Sequence, residues 1–230
     1  MSQKDRLIKI AIDGPAGAGK STVARLVSQK LGYTYLDTGA MYRALTLAVL
    51  RANIPIDNEE TVAALVINCN IEIKKDLDGG NQIFLDGKNV TKEIREQAVS
   101  NAVSDVSNIL AVRKMLIEKQ RQIAYNGGVV LDGRDIGTVV LPDAELKIYL
   151  IASLAVRAQR RYQELKDNNK KISLSELTKA IDTRDKKDAN NAYGPMRAAR
   201  DAITVDSDHL VIADVVEKIV ELAKEKMLTN

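Results

Sequence analysis

Short apolar runs alternate with segments of helical periodicity along most of the chain. The runs LIKIAID (7–13), YTYLD (33–37), GVVLDG (128–133), LKIYLIA (146–152) and AITVD (202–206) are bounded by glycine, proline or polar turn residues. Near-continuous apolar stretches of this length are typical of parallel strands covered on both faces. Between them, helix-period patterns span about 20–31, 39–53, 59–68, 93–125, 153–168, 173–191 and 208–227. The last repeats apolar residues at 210, 212, 215, 216, 219 and 222, which predicts one buried face. Strand–helix alternation of this kind predicts an α/β fold, a doubly wound parallel sheet of about five strands.

One segment breaks the rhythm. INCNIEIKKDLDGGNQIFLDGKNV (67–90) alternates apolar and polar residues around DLDGG, which predicts an antiparallel hairpin. It falls between the second strand and the long helical pattern, so it reads as an insert. The expected organisation is a core of 1–66 and 101–230 with an insert over 67–100. A second excursion, VRAQRRYQELKDNNKK (156–171), is a basic helix with a polar tail, suited to a short helical lid.

Composition narrows the classes. The 230 residues hold 34 Lys and Arg against 31 Asp and Glu, a net charge of +3, with 3% aromatics and no Trp. A broad electrostatic footprint for DNA is not indicated, nor are stacking platforms for single strands. No nucleic-acid partner is expected. Cys69 is the single cysteine, which excludes an internal disulfide, and its apolar setting LVINCNIEI reads as a core position. Neither a signal-peptide pattern nor a run of about 20 apolar residues occurs, so the expectation is a soluble cytoplasmic protein without membrane partners.

The chemistry begins at Gly14. Gly14, Pro15, Ala16, Gly17, Ala18, Gly19, Lys20 and Ser21 fill the pattern G-x-x-x-x-G-K-[ST], followed by Thr22, between a strand and a helix pattern. Glycines there let backbone N–H groups curl around a β-phosphate at a helix N-terminus. Lys20 would bridge the β- and γ-phosphates, and Ser21 would hold Mg²⁺.

Residues just past the ends of parallel strands converge on one crevice. That rule gathers Asp37, Thr38 and Arg43 after the second strand, and Asp132, Arg134 and Asp135 after the third. Arg184 and Asp188 are four apart and share a helix face. Arg43, Arg134, Arg184 and the lid arginines exceed what one triphosphate needs beyond Lys20 and Mg²⁺. A second phosphate explains the excess, because guanidinium forks match phosphate oxygens. A phosphate acceptor is already an anionic nucleophile at pH 7 and needs positioning rather than a strong base. The only histidine, His209, opens the terminal helix pattern and reads as a surface or capping residue.

DGPAGAGKST, LDTGAMYR, LDGRDIGTVVLPDAELKIYL, RAQRR and the RDxxD element resemble, in order, the bacterial cytidylate kinases. The resemblance runs from about Ile8 to the terminal helix. It implies a P-loop core with a nucleotide-binding insert, acting on ATP and on CMP or dCMP with Mg²⁺; separately, a monomer is expected. Residue by residue, it implies that Lys20 and Ser21 handle the ATP phosphates and metal, and that Asp132 helps hold Mg²⁺ or its waters. Arg43 and Arg134 would grip the CMP phosphate, and Thr38, Arg113 and Asp135 would face cytosine. Arg184 and Asp188 would address the pentose, with Ser104 supporting Asp188. Arg157 would lie over adenine, and Arg160 and Arg161 would close on the transferring phosphoryl group. The chain departs from the family pattern at Asn191, where an arginine usually lines the base pocket; Arg197 and Arg200 follow downstream.

Two rivals remain at this stage: a kinase for another small metabolite such as UMP, and a nucleic-acid-dependent or regulatory P-loop ATPase. Scarce aromatics and balanced charge weigh against the second.

Overall fold

The computed structural model describes residues 7–77, 79–167 and 173–228. In chain order its elements begin with β1 (Lys9–Asp13), α1 (Lys20–Leu31), β2 (Thr34–Asp37), α2 (Thr38–Arg51) and α3 (Glu59–Val66). β3 (Ile71–Lys75), β4 (Asn81–Leu85), β5 (Lys88–Asn89), α4 (Gln97–Val106) and α5 (Leu110–Ile123) follow. β6 (Val129–Gly133), β7 (Leu146–Ile151), α6 (Leu154–Asp167), α7 (Leu174–Ala189), β8 (Ile203–Asp206) and α8 (Ile212–Leu228) complete the chain. The tail of the expected lid, 168–171, and Asp78 of the DLDGG turn lie outside the described residues.

The chain forms two compact units, one running to Thr34 and resuming at Gly127, the other spanning Tyr35–Asn126. The principal sheet has the order β2-β6-β1-β7-β8, with parallel registers, so the expected five-stranded α/β fold is present. Its central strands read as continuous apolar runs because both faces are covered: Ile10, Ile12, Leu131, Ile148 and Leu150 are buried. Each such side chain contributes about 1.5–3 kcal/mol by leaving water. α1 packs Val23, Ala24 and Val27 into this unit, and α8 adds Val215, Val216, Ile219, Val220 and Ala223. Register then places the chemistry. Ile12 pairs with Asp132, and Asp13 with both Gly133 and Tyr149, so the loops leaving β1 and β6 start side by side.

The second unit holds the antiparallel sheet β3-β4-β5. The expected hairpin pairs Ile71 with Leu85 and Lys75 with Asn81, and a third strand extends it. That extension turns at Asp86 and Gly87, whose φ values of 49° and 77° are the left-handed pair a two-residue hairpin requires.

Several expectations need correction. The helical pattern 93–125 is a 3₁₀ turn at Glu93–Arg95 followed by α4 and α5. Glu96 (ψ 157°) and Ile109 (ψ 122°) take extended backbone and interrupt it, with Ser107 and Asn108 supplying the polar joint. Cys69 is half-buried in the turn after α3, its thiol donating to the Leu65 carbonyl, and is not a core residue. The terminal helix begins at Ile212, so His209 precedes it, exposed, and Leu210 and Ile212 leave the buried face. The face that does pack, Val215, Val216, Ile219, Val220 and Ala223, keeps the helical period.

Candidate active site

The loop between β1 and α1 is closely determined by its backbone. Gly14 has φ 144°, and a Cβ there would stand 2.0 Å from the Leu150 carbonyl oxygen. Only glycine fits such an approach at such a φ. Gly17 (φ 78°) and Gly19 (φ 91°) are also left-handed, and Gly19 caps α1 without a side-chain hydrogen bond. The first-turn N–H groups of α1 thus form an anion site with the positive end of the helix dipole. Pro15 and Ala18 complete the turn, the Ala18 N–H donating to the Pro15 carbonyl, and Thr22 follows in the first turn of the helix.

Lys20 is buried and its Nζ donates to the Pro15 carbonyl at 2.7 Å. Burial holds its pKa well below the ordinary lysine value; Arg134 and Arg184 push the same way, while Asp132 and Asp13 oppose. Phosphate oxygens would supply the anionic partner that this buried ammonium favours.

Beside the loop, the Ser21 hydroxyl donates to the Asp132 carboxylate at 2.8 Å. Asp132 is buried at the end of β6. Two residues on, Arg134 donates from Nε to Asp188 of α7 at 2.8 Å. Arg184 Nε lies 3.8 Å from the same Asp188 oxygen. One carboxylate therefore holds two guanidinium groups together. Burial works against the Arg134 charge, but Asp188, with Asp132 and Asp185 behind it, keeps its pKa above the usual arginine value. Arg184 is shifted the other way, by burial first and by Arg134 second. An anion beside Arg184 would offset that loss. Asp135 is buried next to Arg134, and its carbonyl accepts from Val139 and Val140 in the π-helical turn Ile136–Val140.

The arginines of α6 divide. Arg157 is buried and reaches the phosphate loop, donating to the Ala16 carbonyl at 3.0 Å and to Asp185 at 2.5 Å. Arg160 donates to the Ser207 carbonyl and hydroxyl at 2.6 and 3.1 Å, just past the end of β8. Arg161 pairs with Glu164 on the exposed side of α6.

Thr38, Arg43, Ser104 and Arg113 belong to the second unit. Asp37 caps α2 by accepting from the Ala40 N–H at 2.9 Å, and it pairs with Arg95 at 2.7 Å. Thr38 is buried as the first residue of that helix. Arg43 donates to the Ile94 carbonyl and the Ser100 hydroxyl at 3.0 and 2.8 Å. Arg113 is buried on α5 with its guanidinium carbon 5.9 Å from the Tyr42 ring centroid, and Ser104 sits half-buried on α4.

Sequence reasoning passed over Asp13, Asp185 and Ser207. Asp185 accepts from the Ala16 N–H at 3.3 Å as well as from Arg157. Its signal was present, since it stands inside RDKKD beside Arg184. Asn191, at the departure from the family pattern, closes a turn after α7 by accepting from the Tyr193 and Gly194 N–H groups at 3.1 and 3.0 Å. Arg197 and Arg200 are exposed.

Among the described residues, no helix is long and apolar enough to cross a membrane. The solved structure of an uncharacterized protein from Eubacterium ventriosum aligns with a TM-score of 0.52 over 94% of this chain and 97% of that one. At 10% identity, that likeness concerns the fold alone. Curated relatives lie much nearer in sequence. The cytidylate kinase of Alkaliphilus oremlandii is 49% identical over 217 residues, 94% of this chain and 98% of that protein. That of Bacillus velezensis is 45% identical over 222 residues, covering 96% and 99% of the two chains. The family model described as cytidylate kinase matches residues 10–225. With a loop shaped for phosphates at one strand end and paired arginines at the next, this chain belongs to the cytidylate kinase family.

Proposed function

We propose that the protein transfers the γ-phosphoryl group of ATP to CMP or dCMP, releasing ADP and CDP or dCDP. Family membership supports the reaction, and one observation supports its local chemistry. Arg134 and Arg184 are gathered on Asp188 within the unit that carries the phosphate loop. Two guanidinium groups side by side suit the oxygens of a second phosphorylated substrate.

In this reading Lys20 and the N–H groups of residues 16–21 hold the ATP phosphates, with Arg157 against the adenine. Arg134 and Arg43 bind the CMP phosphate, and Arg184 and Asp188 meet the pentose with Ser104 in support. Thr38, Arg113 and Asp135 select the base. Asp135 accepting from an exocyclic amine favours cytosine over uracil, which offers a carbonyl at that place. Arg161 and Arg160 serve the transferring phosphoryl from α6, the latter after exchanging its Ser207 partners. The 67–100 insert and the lid, of which α6 is the described part, act as the substrate-closing parts. Water exclusion by such parts limits wasteful hydrolysis.

The donor set fits Mg²⁺. Ser21 and Asp132 bring a hydroxyl and a carboxylate within 2.8 Å of each other, both hard oxygen donors. Among the described residues, no cluster of three or more His, Cys, Asp or Glu could enclose a metal. That suits an ion held by two side chains, waters and substrate phosphates. When bound, it neutralises charge on the β- and γ-phosphates. The protein's own part is to align two anions in line, with no covalent intermediate and no strong base.

ADP release measured across CMP, dCMP, UMP, AMP and shikimate tests the assignment. CMP and dCMP should be the efficient acceptors; a preference for UMP over CMP would overturn it. Chelation of Mg²⁺ should stop transfer, and a phosphoenzyme trapped by rapid quench would refute direct transfer.

A further inference from the structure

Asp13 ends β1 immediately before the phosphate loop, and its carboxylate points across to the loop leaving β6. Oδ1 accepts from the Ile136 N–H at 2.8 Å, and Oδ2 accepts from the Gly137 N–H at 2.7 Å. The residue is 4% exposed. We infer that Asp13 is a positioning residue for acceptor recognition: by clamping the Ile136 and Gly137 amides it sets where Arg134 and Asp135 stand. The inference rests on the reading that Arg134 and Asp135 meet the acceptor nucleotide.

Three observations carry it. First, the clamp is two-pronged, so it fixes the orientation of the peptide as well as its distance. The clamped residues directly follow Asp135, whose backbone (φ −141°, ψ 26°) belongs to neither helix nor strand and whose carbonyl starts the π-helical turn. Second, the loop is closely packed at Gly137. A Cβ at Gly137 would stand 3.2 Å from Lys147 Cδ and 3.4 Å from Asp13 Oδ2. Lys147 is itself held, its Nζ donating to Asp201 and to the Pro142 carbonyl. Third, the residue after Asp13 is Gly14, which the Leu150 carbonyl confines. One short segment therefore anchors both the triphosphate cradle and the loop carrying the acceptor residues.

A buried carboxylate is a costly way to satisfy two amides. Burial pushes the Asp13 pKa up to about 6; the Gly137 and Ile136 amides pull it back, and the Asp135 charge adds to the rise. Its chemical merit is symmetry. An ionised carboxylate accepts on both oxygens, whereas an asparagine of the same shape turns an NH₂ group toward one of the two N–H donors. Asp13→Asn therefore breaks half of the clamp without emptying the site.

The test compares Asp13→Asn, Gly137→Ala and Asp135→Ala with the unaltered protein in steady-state assays on CMP and UMP, with ATP varied separately. A displaced positioning loop costs roughly 10- to 100-fold, so kcat/KM for CMP should fall by that factor in Asp13→Asn. The CMP-to-UMP efficiency ratio should fall with it, and the KM for ATP should stay within about threefold. A residue that only stabilises the fold would lower the active fraction and leave that ratio unchanged; this result would overturn the inference. Gly137→Ala crowds the same loop against Lys147 and Asp13 and should lower the ratio too. If Asp13→Asn yields no folded protein, Gly137→Ala decides, and an unchanged ratio there refutes the positioning role. If Asp135→Ala lowers the ratio while both loop variants keep it, positioning alone has failed. If Asp135→Ala keeps it, the reading of Asp135 falls, and the inference with it.

Discussion

Arg134 and Asp188 meet through a single hydrogen bond, Nε to Oδ2 at 2.8 Å, joining the loop after β6 to α7. Because Arg184 leans on the same oxygen, Asp188 offsets a repulsion that would otherwise part the two guanidinium groups. Truncating Arg134 removes a charge that the proposed function assigns to the acceptor nucleotide, and no hydrogen bond to the phosphate loop is lost with it. Arg134→Ala should lower kcat/KM for CMP by roughly 10- to 100-fold, the loss of a hydrogen bond to a charged phosphate. ATP affinity measured by calorimetry should change little. An equal loss of ATP affinity would contradict the role given to Arg134.

Asp135 is buried and adjacent to that arginine, and the proposed function sets it against the exocyclic amine of the base. Asp135→Ala should reduce the preference for CMP over UMP, by the roughly 1–3 kcal/mol that a specific polar contact to a base supplies. Relative efficiencies on the two nucleotides are the readout. A ratio equal to that of the unaltered protein would remove Asp135 from base selection.

Gly14 offers a backbone test. With φ 144° and the Leu150 carbonyl 2.0 Å from where a Cβ would sit, no side chain can be added without moving β7 or the loop. Gly14→Ala should abolish measurable ATP binding and lower the unfolding midpoint. A variant that bound ATP normally would mean that the loop tolerates a different path.

Much of this was legible in the residues, for identifiable reasons. α1 runs over Lys20–Leu31, the span its pattern predicts, because glycines punctuate both ends: Gly19 and Gly32 are each left-handed. The strands were legible because burial on both faces leaves nearly unbroken apolar runs, as in KIAID. The terminal helix was misjudged at its start, since Leu210, Val211 and Ile212 are apolar yet exposed, and apolarity alone does not say where a helix begins. The third strand of the small sheet was signalled by Asp86–Gly87 inside a segment read only for its DLDGG turn. Asp13 escaped for a different reason. Its partners are backbone groups of another segment, Ile136 and Gly137. Pairings between a side chain and a distant peptide leave no periodicity to read.

Asp185 links the lid helix to the phosphate loop, accepting from Ala16 with one oxygen and from Arg157 with the other. Arg157 also donates to the Ala152 and Ala16 carbonyls, so its place does not depend on Asp185 alone. Asp185→Asn should raise the KM for ATP by about tenfold, the cost of weakening one charged hydrogen bond, and leave the KM for CMP near its original value. A rise confined to CMP would separate Asp185 from the ATP side.

Asp13 also makes a statement about stability. Its pKa in the folded protein is about 6 against an ordinary 3.8, so between these values the folded state holds the proton more tightly than the unfolded one. Stability from this group is therefore fully present below the lower value and is lost as pH rises through the upper one. Asp143, Asp201 and Asp208 carry lowered values and act in the opposite sense, so the pH profile of the unaltered protein mixes the two. Comparison with Asp13→Asn isolates the term, because asparagine does not titrate. Between pH 4.5 and pH 7 the unaltered protein should lose about 2 kcal/mol relative to the variant, from the pKa difference converted at 1.36 kcal/mol per unit. Urea unfolding at several pH values provides the measurement. Parallel profiles for the two proteins would mean that Asp13 titrates alike in the folded and unfolded chains, despite its burial and its two amide donors.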